Sequence, residues 1–227
     1  MNGDIFFYSL NADGSLELIG SLMIWVLLVL SVANIVLITM GARENARYRL
    51  LPDQSVAELR RAFASGRTKD GVQAAARGAD DFSRMVVRAF EHATEGAEAM
   101  TRAAEQSADE LLATRLRGLE RLNVLGQIAP MIGLFGTVYG MIVAFRTIAS
   151  TGGAADPAML AGGIGTALVT TFWGLLIAIP ATTAYAMLRN RTIAASDEAL
   201  ARVEDLVELA APTTSTSTSA GPCPGAV

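Results

Sequence analysis

Thr137, Thr166, Thr170 and Thr171 are the side chains best placed to do chemistry, because each lies inside a long stretch with no charged residue. A hydroxyl both donates and accepts hydrogen bonds, so it can solvate an ion or a carboxylic acid, but it cannot itself store a proton near neutral pH. Asn34 is the one strongly polar residue of another uncharged stretch. The remaining candidates lead away from catalysis. His92 is the only histidine and stands among charged residues, whereas a metal site needs several ligands in suitable geometry. Cys223 is the only cysteine, so there is neither a disulfide framework nor a Cys-based metal site. No nucleophile–base pair, metal-ligand cluster or nucleotide-binding loop stands out, so neither an enzyme nor a bound cofactor or metal is expected.

The elements that hold the threonines follow from charge. Asp, Glu, His, Lys and Arg are all absent from Leu18 to Ala42, from Leu122 to Phe145 and from Pro157 to Leu188. Crossing a bilayer core about 30 Å thick takes roughly 20 apolar residues in a helix, and each stretch is long enough. A soluble domain can approach the overall hydrophobic content of 52%, but it would not gather that content into three uncharged blocks. The first block does not read as a cleaved signal peptide: no Lys or Arg precedes it, and it is much longer than an h-region. A net charge of -4 offers no basic face for nucleic acid.

Arg43, Arg47 and Arg49 follow the first block, Arg115, Arg117 and Arg121 precede the second, and Arg189 and Arg191 follow the third. The positive-inside rule then predicts an outer N-terminal segment 1–17, a span over 18–42 and a cytoplasmic helical region over 43–121. It continues with a span over 122–146, an outer loop over 147–157, a span over 158–188 and a cytoplasmic helix over 189–211. The fold class is thus all-α: a polytopic membrane protein with three transmembrane helices and an elongated helical cytoplasmic region. Within that region, Pro52, Asp53 and Ser55 open a short helix that Gly66 ends, and a second runs from Lys69 to Arg77. Phe82, Met85, Val86, Ala89 and Phe90 begin a helical stripe. With no proline between Asp80 and Pro130, this stripe predicts one long helix running directly into the second span. The Ser/Thr-rich segment 212–227 reads as disordered.

The second and third spans differ from the first. Gly126, Pro130, Gly133, Thr137, Gly140 and Ala144 recur at alternating intervals of four and three residues, and Gly136 widens the stripe. Ala167, Thr171, Gly174, Ala178 and Ala181 repeat the device, with Thr166 and Thr170 on its edge and Pro180 expected to bend or loosen the helix. Small residues let backbones approach closely, which is a main source of helix association in lipid. The first span is bulky around Trp25 and reads as a peripheral, lipid-facing helix.

The segment GLFGTVYG (Gly133–Gly140), preceded by Ala129-Pro130, resembles the span-two signature of the MotA/TolQ/ExbB proton-channel family. TALVTTFWGLLIAIPA (Thr166–Ala181) is similar to that family's span-three signature. Three spans rather than four place the resemblance nearest the ExbB and TolQ branches. It implies a subunit of a bacterial inner-membrane motor, with a periplasmic N-terminus and a cytoplasmic C-terminus. The subunit forms a homo-oligomeric ring, a pentamer in the ExbB type, whose second and third spans line a pore. The pore holds an ExbD/TolR-type single-span protein with an essential Asp. The output goes to a TonB- or TolA-type energy transducer and serves either TonB-dependent transport or envelope maintenance. Thr137 and Thr171 match the family's pore threonines, and Thr166 and Thr170 are expected to line the proton path with them. A Glu is frequent five residues before the latter; this chain has Thr166 there, so the coupling ion, H⁺ or Na⁺, must find its carboxylate on another chain. A non-conducting three-span scaffold is the rival reading of the same packing stripes.

Overall fold

The computed structural model describes residues 18–154 and 156–210. The expected outer segment 1–17 and the expected disordered segment 212–227 lie outside the described residues. Among the described residues seven helices follow in order: α1 (Leu18–Glu44), α2 (Arg47–Leu50), α3 (Asp53–Ala64), α4 (Thr68–Arg77), α5 (Asp81–Glu91), α6 (Ala97–Ser150) and α7 (Pro157–Ala210). No strand occurs among the described residues. α1, α6 and α7 are each long and apolar enough to cross a membrane. The chain divides into two compact units. One holds residues 18–50 and 110–196; the other holds 51–109 and 197–210.

The second unit is built on bulky apolar side chains. Leu59, Phe63, Phe82, Met85, Val86 and Ala89 are buried, and the rings of Phe63 and Phe90 stack with centroids 4.7 Å apart. Asp80 caps α5: its carboxylate accepts from the Ser83 backbone N–H at 2.8 Å and from the Ser83 hydroxyl at 3.0 Å. It also accepts from the Ser55 hydroxyl at 3.3 Å, which ties the start of α5 to α3. Such a cap satisfies amide donors that the first helical turn leaves free. The ion pairs Arg88–Glu91 and Arg102–Glu98 lie in water on the helix surface, where such pairs add little.

One expectation fails here. The stripe beginning at Phe82 does not continue as a single helix into the second span. α5 stops at Glu91, residues 92–95 form a turn, and α6 starts afresh at Ala97. Gly96 is the cause that can be named, since its φ of +102° is a conformation that L side chains rarely adopt. His92 closes α5 rather than lying within a helix, and its Nδ1 sits 2.9 Å from Glu95 Oε1. By contrast, prolines inside the spans do not end them. Pro130 lies within α6 and Pro180 within α7, and each helix runs on for 54 residues in all.

The first unit gathers α1, α2 and the apolar parts of α6 and α7. Leu27 of α1, Ala129 of α6 and Ile177 and Ala178 of α7 form its buried centre, flanked by Leu30, Leu125, Ile132 and Trp173. Near one end, a methyl group at Gly41 would lie 3.1 Å from Leu119 and 3.2 Å from Leu188, so all three helices meet there as well. α1 is the outermost of the three. Its most apolar window is 17% buried, against 28% for α6 and 44% for α7.

Candidate functional site

The seam between α6 and α7 carries every threonine singled out by the sequence, and it is closed by glycine. The helices run antiparallel. Gly126 faces Thr182, Gly133 faces Thr170, Thr171 and Gly174, and Gly140 faces Gly163 and Ala167. A methyl group at Gly140 would sit 2.6 Å from the Gly163 carbonyl oxygen. One at Gly174 would sit 2.8 Å from the Ala129 carbonyl oxygen. One at Gly136 would collide with the Thr170 side chain. Backbone therefore lies on backbone along several turns, an approach that lipid-embedded helices achieve only with small residues.

The line of closest approach differs by one position from the expected stripe. Gly126, Ala129, Gly133, Gly136, Gly140 and Ala144 are the residues that α6 buries between 123 and 150, whereas Pro130 and Thr137 are half-buried beside them. Ala129 and Gly136 are smaller than Pro130 and Thr137, so α6 turns them toward α7. On α7 the buried residues at the seam include Thr166, Ala167, Thr170, Gly174, Ala178 and Ala181, and Thr171 is half-buried. Thr166 and Thr170, expected on the edge, are inside the contact; Thr170 has no exposed surface at all. Gly163 and Thr182 belong to the seam too, and the spacing pattern had not marked them.

Each of the four hydroxyls donates to a backbone carbonyl. Thr137 Oγ1 donates to Leu134 O at 2.7 Å, and Thr166 Oγ1 to Gly162 O at 3.1 Å. Thr170 Oγ1 lies 2.9 Å from Ala167 O, 3.2 Å from Thr166 O and 3.4 Å from Gly133 O. Thr171 Oγ1 donates across the seam to Gly133 O at 3.3 Å. A hydroxyl has one hydrogen and two lone pairs. With the hydrogens engaged, Thr137 and Thr171 offer lone pairs from the half-buried flank. No Asp, Glu, His, Lys or Arg lies between Leu122 and Phe145 or between Pro157 and Leu188, and no metal-holding cluster of His, Cys, Asp or Glu occurs among the described residues.

Around this seam the surface stays apolar. Met131, Leu134, Phe135, Val138, Ile142 and Phe145 of α6 are exposed, as are Leu168, Phe172, Leu175 and Ile179 of α7. That is a surface for lipid or for other helices and not for water.

The family model described as the MotA/TolQ/ExbB proton channel family matches residues 75–200, which include the whole seam. The Biopolymer transport protein exbB1 of Vibrio cholerae serotype O1 is 43% identical over 86 residues, covering 37% of this chain and 38% of that protein. The Biopolymer transport protein ExbB of Neisseria gonorrhoeae is 43% identical over 89 residues, covering 39% and 40%. A putative ExbB homolog of Methanothermobacter thermautotrophicus is 44% identical over 75 residues, covering 33% and 26%. The matched segments thus span at most 40% of the length of these relatives.

Proposed function

This chain belongs to the MotA/TolQ/ExbB proton channel family, and from that premise we propose that it is an ExbB-like stator subunit of an inner-membrane motor. In this reading, copies of the chain form a ring, a pentamer, in which α6 and α7 surround the span of an ExbD/TolR-type partner. The partner's Asp carries the coupling proton, and Thr137 and Thr171 provide hydrogen-bonding positions along its path. A TonB-type transducer receives the work. The N-terminus is periplasmic and the C-terminus cytoplasmic, as the arginines flanking the spans favour.

The observation that carries this reading is the α6–α7 seam: a stiff, uncharged wall with two hydroxyls on its flank and an uncovered apolar face. An ionised group at mid-membrane is costly and usually functional, and this chain has none. A proton crossing such a wall needs a carboxylate from elsewhere. One elementary charge moving through 100 mV releases about 2.3 kcal/mol, enough to bias a step between neighbouring ring positions. Thr170 and Thr166, buried in the seam, fix the register of the wall, while Thr137 and Thr171 meet the partner.

The test is to purify the chain with its single-span partner and measure proton flux into vesicles. Flux that appears only with both proteins, and vanishes when the partner's Asp becomes Asn, supports the motor subunit. Absence of flux, with stable capture of cytoplasmic proteins by residues 51–109, favours the scaffold. A partner that works with a TolA-type transducer would move the assignment to the TolQ branch.

A further inference from the structure

Pro180 lies in the interior of α7 and has no backbone N–H, so the Leu176 carbonyl lacks the helical donor that residue 180 would supply. A proline ring inside a helix also crowds the carbonyl four residues before it, and in lipid a carbonyl without its helical donor is satisfied by donors on neighbouring elements. The adjoining carbonyl has found one. Asn34 Nδ2 of α1 donates to Ile177 O at 3.0 Å, across 143 residues of sequence. Asn34 is 3% exposed and Ile177 1%, and the bond lies beside the packed centre of Leu27, Ala129 and Ala178. Asn34 is also the strongly polar residue of an otherwise apolar helix, so its place opposite the proline turn is specific.

We propose that Asn34 is a positioning residue that restrains the Pro180 turn, and so couples α1 to the helix that carries Thr171. Thr171 is six residues from Ile177 along the same helix, roughly 9 Å of rise, so a change in the turn shifts it relative to α6. The chemistry selects an amide. An Asp here would aim a carboxylate at a carbonyl oxygen, and a Ser hydroxyl is shorter by a full bond. The restraint is also releasable. Asn34 Oδ1 is buried and meets no donor among the described residues, which raises the energy of this arrangement and narrows the margin by which it is held. α1 is then a stay on the Pro180 turn of α7 and not only a lipid-facing cover.

The test is amide hydrogen exchange over residues 176–184 of the full chain in lipid nanodiscs, in a double-mutant cycle of Asn34→Leu and Pro180→Ala. Ala restores a donor for Leu176 and is the best helix former, so Pro180→Ala keeps α7 intact. Asn34→Ala serves if Asn34→Leu does not accumulate. Asn34→Leu is expected to speed exchange in this segment about ten-fold with Pro180 present and by less than about two-fold with Pro180→Ala. An equal effect in both backgrounds would reduce Asn34 to an ordinary tether and overturn the proposal, as would no effect in either. A second arm rests on the proton-channel reading: partner-dependent flux falls with Asn34→Leu and recovers in the double mutant. The exchange arm does not depend on that reading. If wild-type flux is absent while the exchange cycle behaves as described, the channel assignment fails and the role of Asn34 stands.

Discussion

The second unit and the α6–α7 seam solve the same problem in opposite ways. The first closes around Phe63, Phe82, Met85 and Phe90, large side chains taken out of water. The second closes around Gly133, Gly136, Gly140 and Gly174, where almost no side chain intervenes. The difference is the solvent. In water, apolar burial is itself the driving force. In lipid a Leu gains little by leaving the acyl chains for a neighbouring helix, so association depends on close van der Waals contact and interhelical hydrogen bonds. The exposed Phe135 and Phe172 follow the same rule: in lipid or against a partner helix they incur none of the cost that they would in water. One chain thus carries a core that needs bulk and a wall that needs its absence.

Four substitutions test that contrast. Phe82→Ala, with no exposed surface at the site, should destabilise the second unit by about 3–5 kcal/mol in denaturant titrations of the full chain. Loss below about 1 kcal/mol would mean that the aromatic cluster does not support this unit. In the seam the sensitive change is addition. Gly140→Val, placing carbon 2.6 Å from the Gly163 carbonyl, should cost at least about 1–3 kcal/mol and lower the yield of folded protein in membranes. Wild-type melting of that variant would contradict the close backbone contact. Asp80→Ala removes the cap and its bonds to Ser83 and Ser55, at about 1–2 kcal/mol, read from thermal unfolding. Thr170→Val should cost only about 0.6 kcal/mol, the usual scale of an interhelical hydrogen bond in membranes, although its side chain is the most deeply buried of the four threonines.

The contrast also explains what could be read in the sequence. Uncharged blocks mark α1, α6 and α7 because a charge at depth is costly, and that signal needs no knowledge of packing. The glycine spacing located the seam, Gly136 included, but it centred the stripe on Pro130 and Thr137 where Ala129 and Gly136 make the contact. A period of 3.5 and one of 3.6 differ by too little over five turns to choose between adjacent positions, and the choice falls to the side-chain sizes on the facing helix. The break at 92–95 was hidden because Ala93 and Ala97 continue a helical pattern while Gly96 takes a positive φ that composition alone does not reveal. The bond from Asn34 to Ile177 was out of reach for a different reason. A polar residue in a span announces that it needs a partner, but which carbonyl it reaches depends on the packing of two helices far apart in sequence.

The division of labour among the threonines is the centre of the functional account, and flux in vesicles holding the chain and its single-span partner tests it directly. Thr137→Val and Thr171→Val together should reduce proton flux by at least about ten-fold, the loss expected for roughly 1.4 kcal/mol of barrier, with assembly intact. Thr170→Val should leave flux within about two-fold of wild type, since 0.4 kcal/mol is the most that such a factor represents. Unchanged flux in the double variant, or a larger loss from Thr170→Val than from the pair, would contradict the assignment of Thr137 and Thr171 to the proton path.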